Sequence, residues 1–550
     1  MAAIGTMLAT VGTAGAALGN VSSASTLTPY DEAGVSDLNA LARAIGSRDL
    51  WACGFTGAGV DVALIDTGVS PVPGSGAVYN GPDLSFDAQT PGGTHSLDAY
   101  GHGTHLASLI NGRDPSAAVS GACRSATANP KSAKIAANTP SASGFAGMAT
   151  GARVVNLKAG AADGAVDVTQ VIAQIDWATQ NRNRYGLNIR VLAIPYGVSA
   201  DAACDLNGRS RTKEAECVRV DPLSHAVTQA VKAGIVVVAA AGNDGTPNKV
   251  DLAFPARNPD VVTVGAADPV VQTNPANWTN VASWTVASFS DRGDTKTRAS
   301  DVFVPAVSVP GLRVPGSLLD ASTTSKGNRL IRGSGTSQAT AIVAGVAAQL
   351  VHRYPTATPA AIKQLLRTNT WAIKAGKKTA GQALVANKVI RAVLPTAAVT
   401  TTATDGSASV QTLRSEGSIE LAGAVLAGNV DVQGGALTAW APASANRTSW
   451  SGGSWMGRVY TGTPTSTGVP AAPWASSWAG VPWSQVAGFA GTWDGLRWKG
   501  DDWSGLRWKG ETWSGLRWKG VAWDGLRWKG TNWDGLRWKG SANWSSASWT

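Results

Sequence analysis

The most constraining feature of this 550-residue chain is a series of short, mostly apolar, β-branched runs separated by longer amphipathic segments. The runs lie at Val60 to Ile65, Arg153 to Leu157, Arg190 to Ile194, Gly234 to Ala240 and Val261 to Gly265. Runs of that length without polar alternation suit strands covered on both faces, as in a parallel sheet between helical layers. Helix-like segments such as Val168 to Asn181 and Asp221 to Ala233 fall between them. The alternation predicts an α/β fold with a doubly wound, mostly parallel sheet. Ligands bind beyond the carboxyl ends of the strands in such sheets, so residues just after each run are the first candidates for chemistry.

Four stretches fit that description or open a helix beside it. In D-V-A-L-I-D-T-G-V the first buried run delivers Asp66 to the sheet edge, where Thr67-Gly68 must turn; an Asp beginning a turn is equally common without any function. In D-A-Y-G-H-G-T-H-L-A-S, a Gly-flanked His102 opens an apolar helix. His102 and His105 are three apart, but no H-E-x-x-H arrangement or other His/Cys cluster supports zinc, so no metal site is expected. V-V-V-A-A-A-G-N-D-G places Asn243 at a strand end, where its amide can donate to a developing oxyanion or simply serve a turn. Finally, Gly333 to Gly345, G-S-G-T-S-Q-A-T-A-I-V-A-G, reads as a tight turn feeding a buried helix with Ser337 in its first turn. Unpaired N–H groups there favour developing negative charge, although an isolated G-T-S is more often an ordinary helix cap.

Together, D-T-G, then H-G-T-H about 36 residues later, A-A-G-N and G-T-S-x-A resemble the subtilisin-like serine proteases. The order Asp, His, Ser is the diagnostic part, because chymotrypsin-like and α/β-hydrolase enzymes use other orders. The similarity spans roughly Ile45 to Leu394 and includes G-M-A-T-G-A-R-V-V (Gly147 to Val155) and F-P-A-R-N-P-D-V-V-T-V-G-A (Phe254 to Ala266). The resemblance implies a serine endopeptidase acting on polypeptides through an acyl-enzyme. Ser337 is then the nucleophile, His102 the general base, Asp66 its orienting carboxylate, and Asn243 with the Ser337 N–H the oxyanion hole.

Several positions depart from the family pattern. Relatives usually continue G-T-S-M-A-x-P, whereas Gln338 replaces the Met and Ala341 the Pro. The substrate-binding strand, commonly N-x-S-x-G, is Ala193-Ile194-Pro195-Tyr196-Gly197 here. Pro195, Tyr196 and Gly197 are therefore the expected substrate-binding residues, with no N–H on the proline and a bulky tyrosine beside it. No cofactor is implied. Calcium often stabilises relatives, but no carboxylate cluster is specific enough to name its ligands. Ser116 to Ser143, rich in Ala, Ser, Lys and Asn, reads as a long exposed insertion.

Outside the core similarity the composition changes. Residues 1–24 are small, apolar and uncharged, end in Ser22-Ser23-Ala24, and resemble a secretory signal lacking its cationic start. A short N-terminal or pro-segment over 25–44 is expected next, since no full-sized pro-domain fits before Trp51. Four cysteines in an exported chain predict two disulfides, with Cys204 and Cys217 bracketing a polar loop as the local pair. No later run is long enough to span a membrane. After the 45–394 protease-like domain, 395–406 is Thr/Ala-rich and linker-like, and 407–489 suits a small β-rich or irregular module.

Residues 490–550 carry a Trp/Gly repeat tail. The decade W-[D/S]-G-L-R-W-K-G-x-x occurs five times from Trp493 to Gly540, and 18 of the 23 tryptophans lie from Trp440 onward. A five-residue step on a helix rotates about 500°, so the tryptophans would spiral, and each interior Gly would cost ~1 kcal/mol. Turn-linked short strands fit better, with low-complexity disorder as the competing description. The ten cations of that segment exceed its six acids, leaving +4. Aromatic faces beside cations suit cell-wall or other anionic polysaccharide, and an exported chain makes nucleic acid the least expected partner. The pentads resemble tails of bacterial exported subtilisin-like proteases, which implies secretion or a cell-envelope location. The competing functional reading is an envelope-binding protein in which the repeats act and the protease domain only processes.

Overall fold

In the computed structural model, the residues described are 32–459, apart from short internal stretches, together with 496–499. The expected signal segment, most of the Ser116 to Ser143 insertion, Cys204, and nearly all of the repeat tail lie outside the described residues.

Each predicted run is a strand. β1 (Asp61–Asp66), β2 (Ala77–Asn80), β3 (Arg153–Lys158), β4 (Ile189–Ile194), β5 (Val236–Ala240), β6 (Val262–Asp268) and β7 (Val302–Pro305) pair in parallel. Further on, β8 (Val309–Leu312) and β9 (Leu330–Gly333) form a separate antiparallel pair, and an antiparallel hairpin, β10 (Thr370–Ala375) and β11 (Lys378–Leu384), extends the edge, with β11 parallel to β7. The order is β10-β11-β7-β6-β5-β4-β1-β3-β2. Growth in both directions from β1 puts a topological switch point beside that strand.

Alternation of side chains gives the sheet two cores. Val62, Leu64, Val191, Ala193, Val236 and Val238 enter a front cluster, while Ala63, Ile65, Leu192, Ile194, Val237 and Ala239 enter a back one. The front is covered by α1 (Glu32–Ala44), α3 (His102–Asn111) and α7 (Thr336–Arg353), with α2 (Ser47–Ala52) beside them. In α7 every residue from Thr336 to Val351 is buried, as its nearly unbroken small and apolar sequence requires. The segment expected as a short N-terminal or pro-segment contributes α1, whose Leu38, Leu41 and Ala42 belong to this core.

The back is covered by α4 (Val168–Asn181) and α6 (Pro222–Lys232), with α5 (Arg211–Val220) leading into α6. Asp167 caps α4 in a capping box with Gln170, and Asp221 caps α6 with Pro222 in its first turn. Described residues after the hairpin are tied to the domain. Thr402 N–H donates to Asp260 at 2.9 Å and the Asp405 N–H to the Arg219 carbonyl at 2.9 Å, so the linker-like stretch runs along the domain. Val410, Leu413, Leu437, Trp440, Trp450 and Trp455 complete the back cluster itself.

Two buried carboxylates hold this extension. Arg414 forks onto Asp167 with two contacts of 2.8 Å. Asp176, on the outer face of α4, accepts from Trp440 Nε1 at 2.8 Å, Trp455 Nε1 at 2.9 Å and Ser444 Oγ at 2.6 Å. Trp450 and Trp455 belong to W-S-G-G-S-W-M-G, a looser form of the repeat pattern found at 493–540. From the main repeats, Leu496–Lys499 is extended and pairs antiparallel with Ser418–Leu421.

Among the described residues, Cys53 and Cys123 form a disulfide, and Cys217 is also disulfide-bonded. No described helix is long and apolar enough to cross a membrane. Among the described residues no cluster of three or more His, Cys, Asp or Glu side chains could hold a metal ion.

Candidate active site

Three adjacent strands, β5, β4 and β1, end at one place, and the first turns of α3 and α7 meet them there. Asp66 is the last residue of β1. Gly68 follows at φ +113°, and a Cβ on it would stand 2.5 Å from the Leu97 carbonyl oxygen, so the turn needs glycine for both conformation and space. His102 opens α3. A Cβ on Gly103 would reach 2.1 Å from the Gly68 oxygen, which shows how tightly the helix start is pressed onto the D-T-G turn. The result is direct contact: His102 Nδ1 lies 2.8 Å from Asp66 Oδ1 and 3.0 Å from Oδ2.

Asp66 and His102 are each only 8% exposed. Burial by itself would push the imidazole pKa down, but the charge and hydrogen bond of Asp66, with Asp98 behind it, outweigh that and raise it above the ordinary value. A donor hydrogen on Nδ1 facing the carboxylate fixes the tautomer that leaves Nε2 with its lone pair. His105 has a different role. Burial first, and His102 second, lower its pKa to about 3, and its ring packs against Gly311. It is a neutral core histidine.

Asp98 opens the His motif, and nothing in the sequence around it points to a role. It is fully buried and accepts from Thr67 Oγ1 at 2.8 Å, Gly101 N at 2.6 Å and Thr104 N at 2.7 Å. Thr67 Oγ1 also accepts from the Gly103 N–H at 3.0 Å. Asp98 therefore ties the D-T-G turn to the start of α3.

Ser337 is the second residue of α7 and 6% exposed, and its hydroxyl donates to the Pro195 carbonyl at 3.1 Å. Asn243, half-buried just beyond β5, accepts from Thr336 N at 2.9 Å and from Thr336 Oγ1 at 3.0 Å through Oδ1. With the oxygen engaged, Nδ2 is turned outward. Gly335 is extended at φ 160°, a conformation open to any residue, and the one atom close to its missing Cβ is the movable end of the Gln338 side chain. The point its missing Cβ would occupy is 3.7 Å from both Asn243 Nδ2 and the Ser337 nitrogen. Two N–H donors thus border one space beside the serine, the arrangement that stabilises an oxyanion.

The three expected substrate residues separate. Pro195 brings its carbonyl to Ser337. Gly197 lies where a Cβ would come 2.7 Å from Ala253 Cβ. Tyr196 instead packs on the back cluster, and burial there, with Asp167 nearby, raises its phenol pKa. The alternation along β4 explains this: Leu192 and Ile194 face the same back cluster, and Tyr196 continues their phase.

The family profile for the subtilase family, peptidase S8, matches residues 57–407. Over 322 residues the chain is 32% identical to serine protease AprX of Bacillus subtilis (strain 168), covering 58% of this chain and 62% of that protein. Over 315 residues it is 31% identical to the extracellular serine proteinase of Thermus sp. (strain Rt41A), covering 56% and 55%. Subtilisin DY of Bacillus licheniformis is 28% identical over 323 residues, covering 58% and 87%. The chain spans less than two thirds of the length of the first two relatives. With the family profile matched across most of the parallel sheet and both helix starts, this chain belongs to the subtilase family of peptidases.

Proposed function

We propose that this protein is an exported serine endopeptidase that hydrolyses peptide bonds through an acyl-enzyme, with Asp66, His102 and Ser337 as its triad. The observation that carries the reading is the 2.8 Å contact between His102 Nδ1 and Asp66 in a buried site at the strand ends. Ser337 Oγ leaves the Pro195 carbonyl, passes its proton to His102 Nε2 and attacks the scissile carbonyl carbon. Asp66 stabilises the imidazolium and stays ionised. Negative charge on the former carbonyl oxygen is met by Asn243 Nδ2 and the Ser337 N–H. Collapse breaks the C–N bond, the leaving amine takes the proton from His102, and water repeats the sequence on the ester.

Polypeptides are the substrates, with Pro195 and Gly197 lining the substrate side and Tyr196 excluded from it. Export is supported by the signal-like residues 1–24 and by the Cys53–Cys123 disulfide, which persists in oxidising compartments. The Trp/Gly repeats, net positive and aromatic, serve as an accessory module for anionic envelope polysaccharide. The test is cleavage of unfolded casein by the purified full chain beside His102→Ala and Ser337→Ala. Cleavage by the parent alone is expected; equal cleavage by all three would place the activity elsewhere.

A further inference from the structure

Gln338, immediately after the nucleophile, is 1% exposed, and its Oε1 is buried without a hydrogen-bond partner. That oxygen is not tucked among apolar side chains far from the chemistry. It lies 2.8 Å from the point where a Cβ on Gly335 would stand, the same point that Asn243 Nδ2 and the Ser337 nitrogen approach to 3.7 Å. A buried acceptor with no donor costs about 1–3 kcal/mol, so its place at the wall of the oxyanion space calls for a compensating use.

We propose, on the serine peptidase reading above, that the Gln338 carboxamide is a third donor to the oxyanion. Its oxygen and nitrogen are nearly isosteric, and the terminal torsion of glutamine is broad and two-fold. Nothing bonded to Oε1 holds it in its present orientation. Negative charge developing beside Gly335 repels Oε1 and attracts Nε2, so a half-turn of the amide presents an N–H as the tetrahedral intermediate forms. The interaction exists only when the charge exists, and it therefore lowers the barrier without tightening substrate binding. Methionine, the residue relatives usually carry here, has no hydrogen to donate. The glycine at 335 keeps the space open for the turn.

The experiment compares the full-length parent with Gln338→Met and Gln338→Glu, using a p-nitrophenyl ester as substrate and phenylboronic acid as the tetrahedral mimic. Removing a preset oxyanion donor costs about 10²–10³ in kcat; a donor that must turn first should cost less, about 10-fold for Gln338→Met, with KM within about 2-fold. The inhibition constant for the boronate should rise by the same factor. Gln338→Glu should lose more, and its deficit relative to the parent at each pH should shrink as pH falls and the protonated acid regains a donor. Unchanged kcat and boronate inhibition in Gln338→Met, a loss confined to KM, or a pH-independent deficit in Gln338→Glu would overturn the proposal. Fluorophosphonate labelling of all three proteins separates the cases: a parent that does not label defeats the peptidase reading, whereas labelled variants with parental kinetics defeat only the role of Gln338.

Discussion

The two faces of the central sheet bury their apolar side chains in different ways. On the front, α3 and nearly all of α7 are buried against the sheet, and their first turns bring His102 and Ser337 to the strand ends. On the back, α4 and α6 leave an unfinished surface that a much later segment, Val410 to Trp455, completes, pinned by Arg414 on Asp167 and by two indoles on Asp176. The front is built by local sequence patterns meeting at one edge. The back is built by a few long-range polar contacts inside an apolar interface. Changes on the front should therefore alter turnover with little effect on folding, and changes on the back should do the reverse.

The largest effect is expected from Asp66→Asn, which keeps the shape and reverses the preferred imidazole tautomer: kcat should fall by about 10⁴-fold. At a pH where His102 is neutral, a urea midpoint equal to the parent's would sharpen the contrast between the faces, and a large loss of stability would break it. On the back, Asp176→Ala strands two indole N–H groups and the Ser444 hydroxyl in a buried place. A cost of about 3 kcal/mol is expected from donors left unpaired, read as a lower urea midpoint and faster proteolysis after residue 400, at parental kcat. Asp176→Asn should cost less, because burial raises the pKa of this carboxyl and the hydrogen bonds from Ser444, Trp455 and Trp440 offset that only in part. A fall in kcat matching the fall in stability would show that the extension shapes the active site.

Gly103→Ala tests positioning on the front. Its Cβ would meet the Gly68 oxygen, and a displacement of His102 on the order of 1 Å should lower kcat by about 10²-fold without removing any reacting group. Parental kcat would show that α3 can retreat without moving its histidine. The smallest effect concerns pH. His102 must be neutral to accept a proton, so kcat/KM should rise with pH through a midpoint above the ordinary value of about 6.5. Stability has the opposite sign: the contribution of the Asp66 to His102 ion pair is fully present below the unfolded value and is lost as pH climbs through the raised folded one. Asp66→Asn should lower the kinetic midpoint; an unmoved midpoint would contradict the coupling.

The front was legible in the sequence for a physical reason. Asp66, His102, Asn243 and Ser337 each sit in a short glycine-containing motif, and for Asp66 and His102 close backbone approach at Gly68 and Gly103 demands the glycine, so chemistry and turn geometry are written side by side. Strand positions followed from buried β-branched runs, and α4 matched its expected bounds at both ends. The back left no such record. Asp176 and Trp455 are 279 residues apart, and neither position carries a local signal that they meet. The Thr/Ala-rich stretch read as a linker because its hydrogen bonds go to distant residues such as Asp260. Tyr196 was assigned to the substrate by its motif, while the period of two along β4 already pointed its ring to the other face. Asp98 carries no sequence signal of its own, since a buried carboxylate that only ties turns together resembles any polar loop residue.

The most direct test of the central claim, that Asp66 and His102 activate Ser337, is labelling of the purified full-length protein with a fluorophosphonate, read by intact mass and peptide mapping. One adduct on Ser337, absent from Ser337→Ala and slowed in Asp66→Asn, is the expected result. A folded protein that takes up no adduct, or takes it up equally at another serine, would contradict the account.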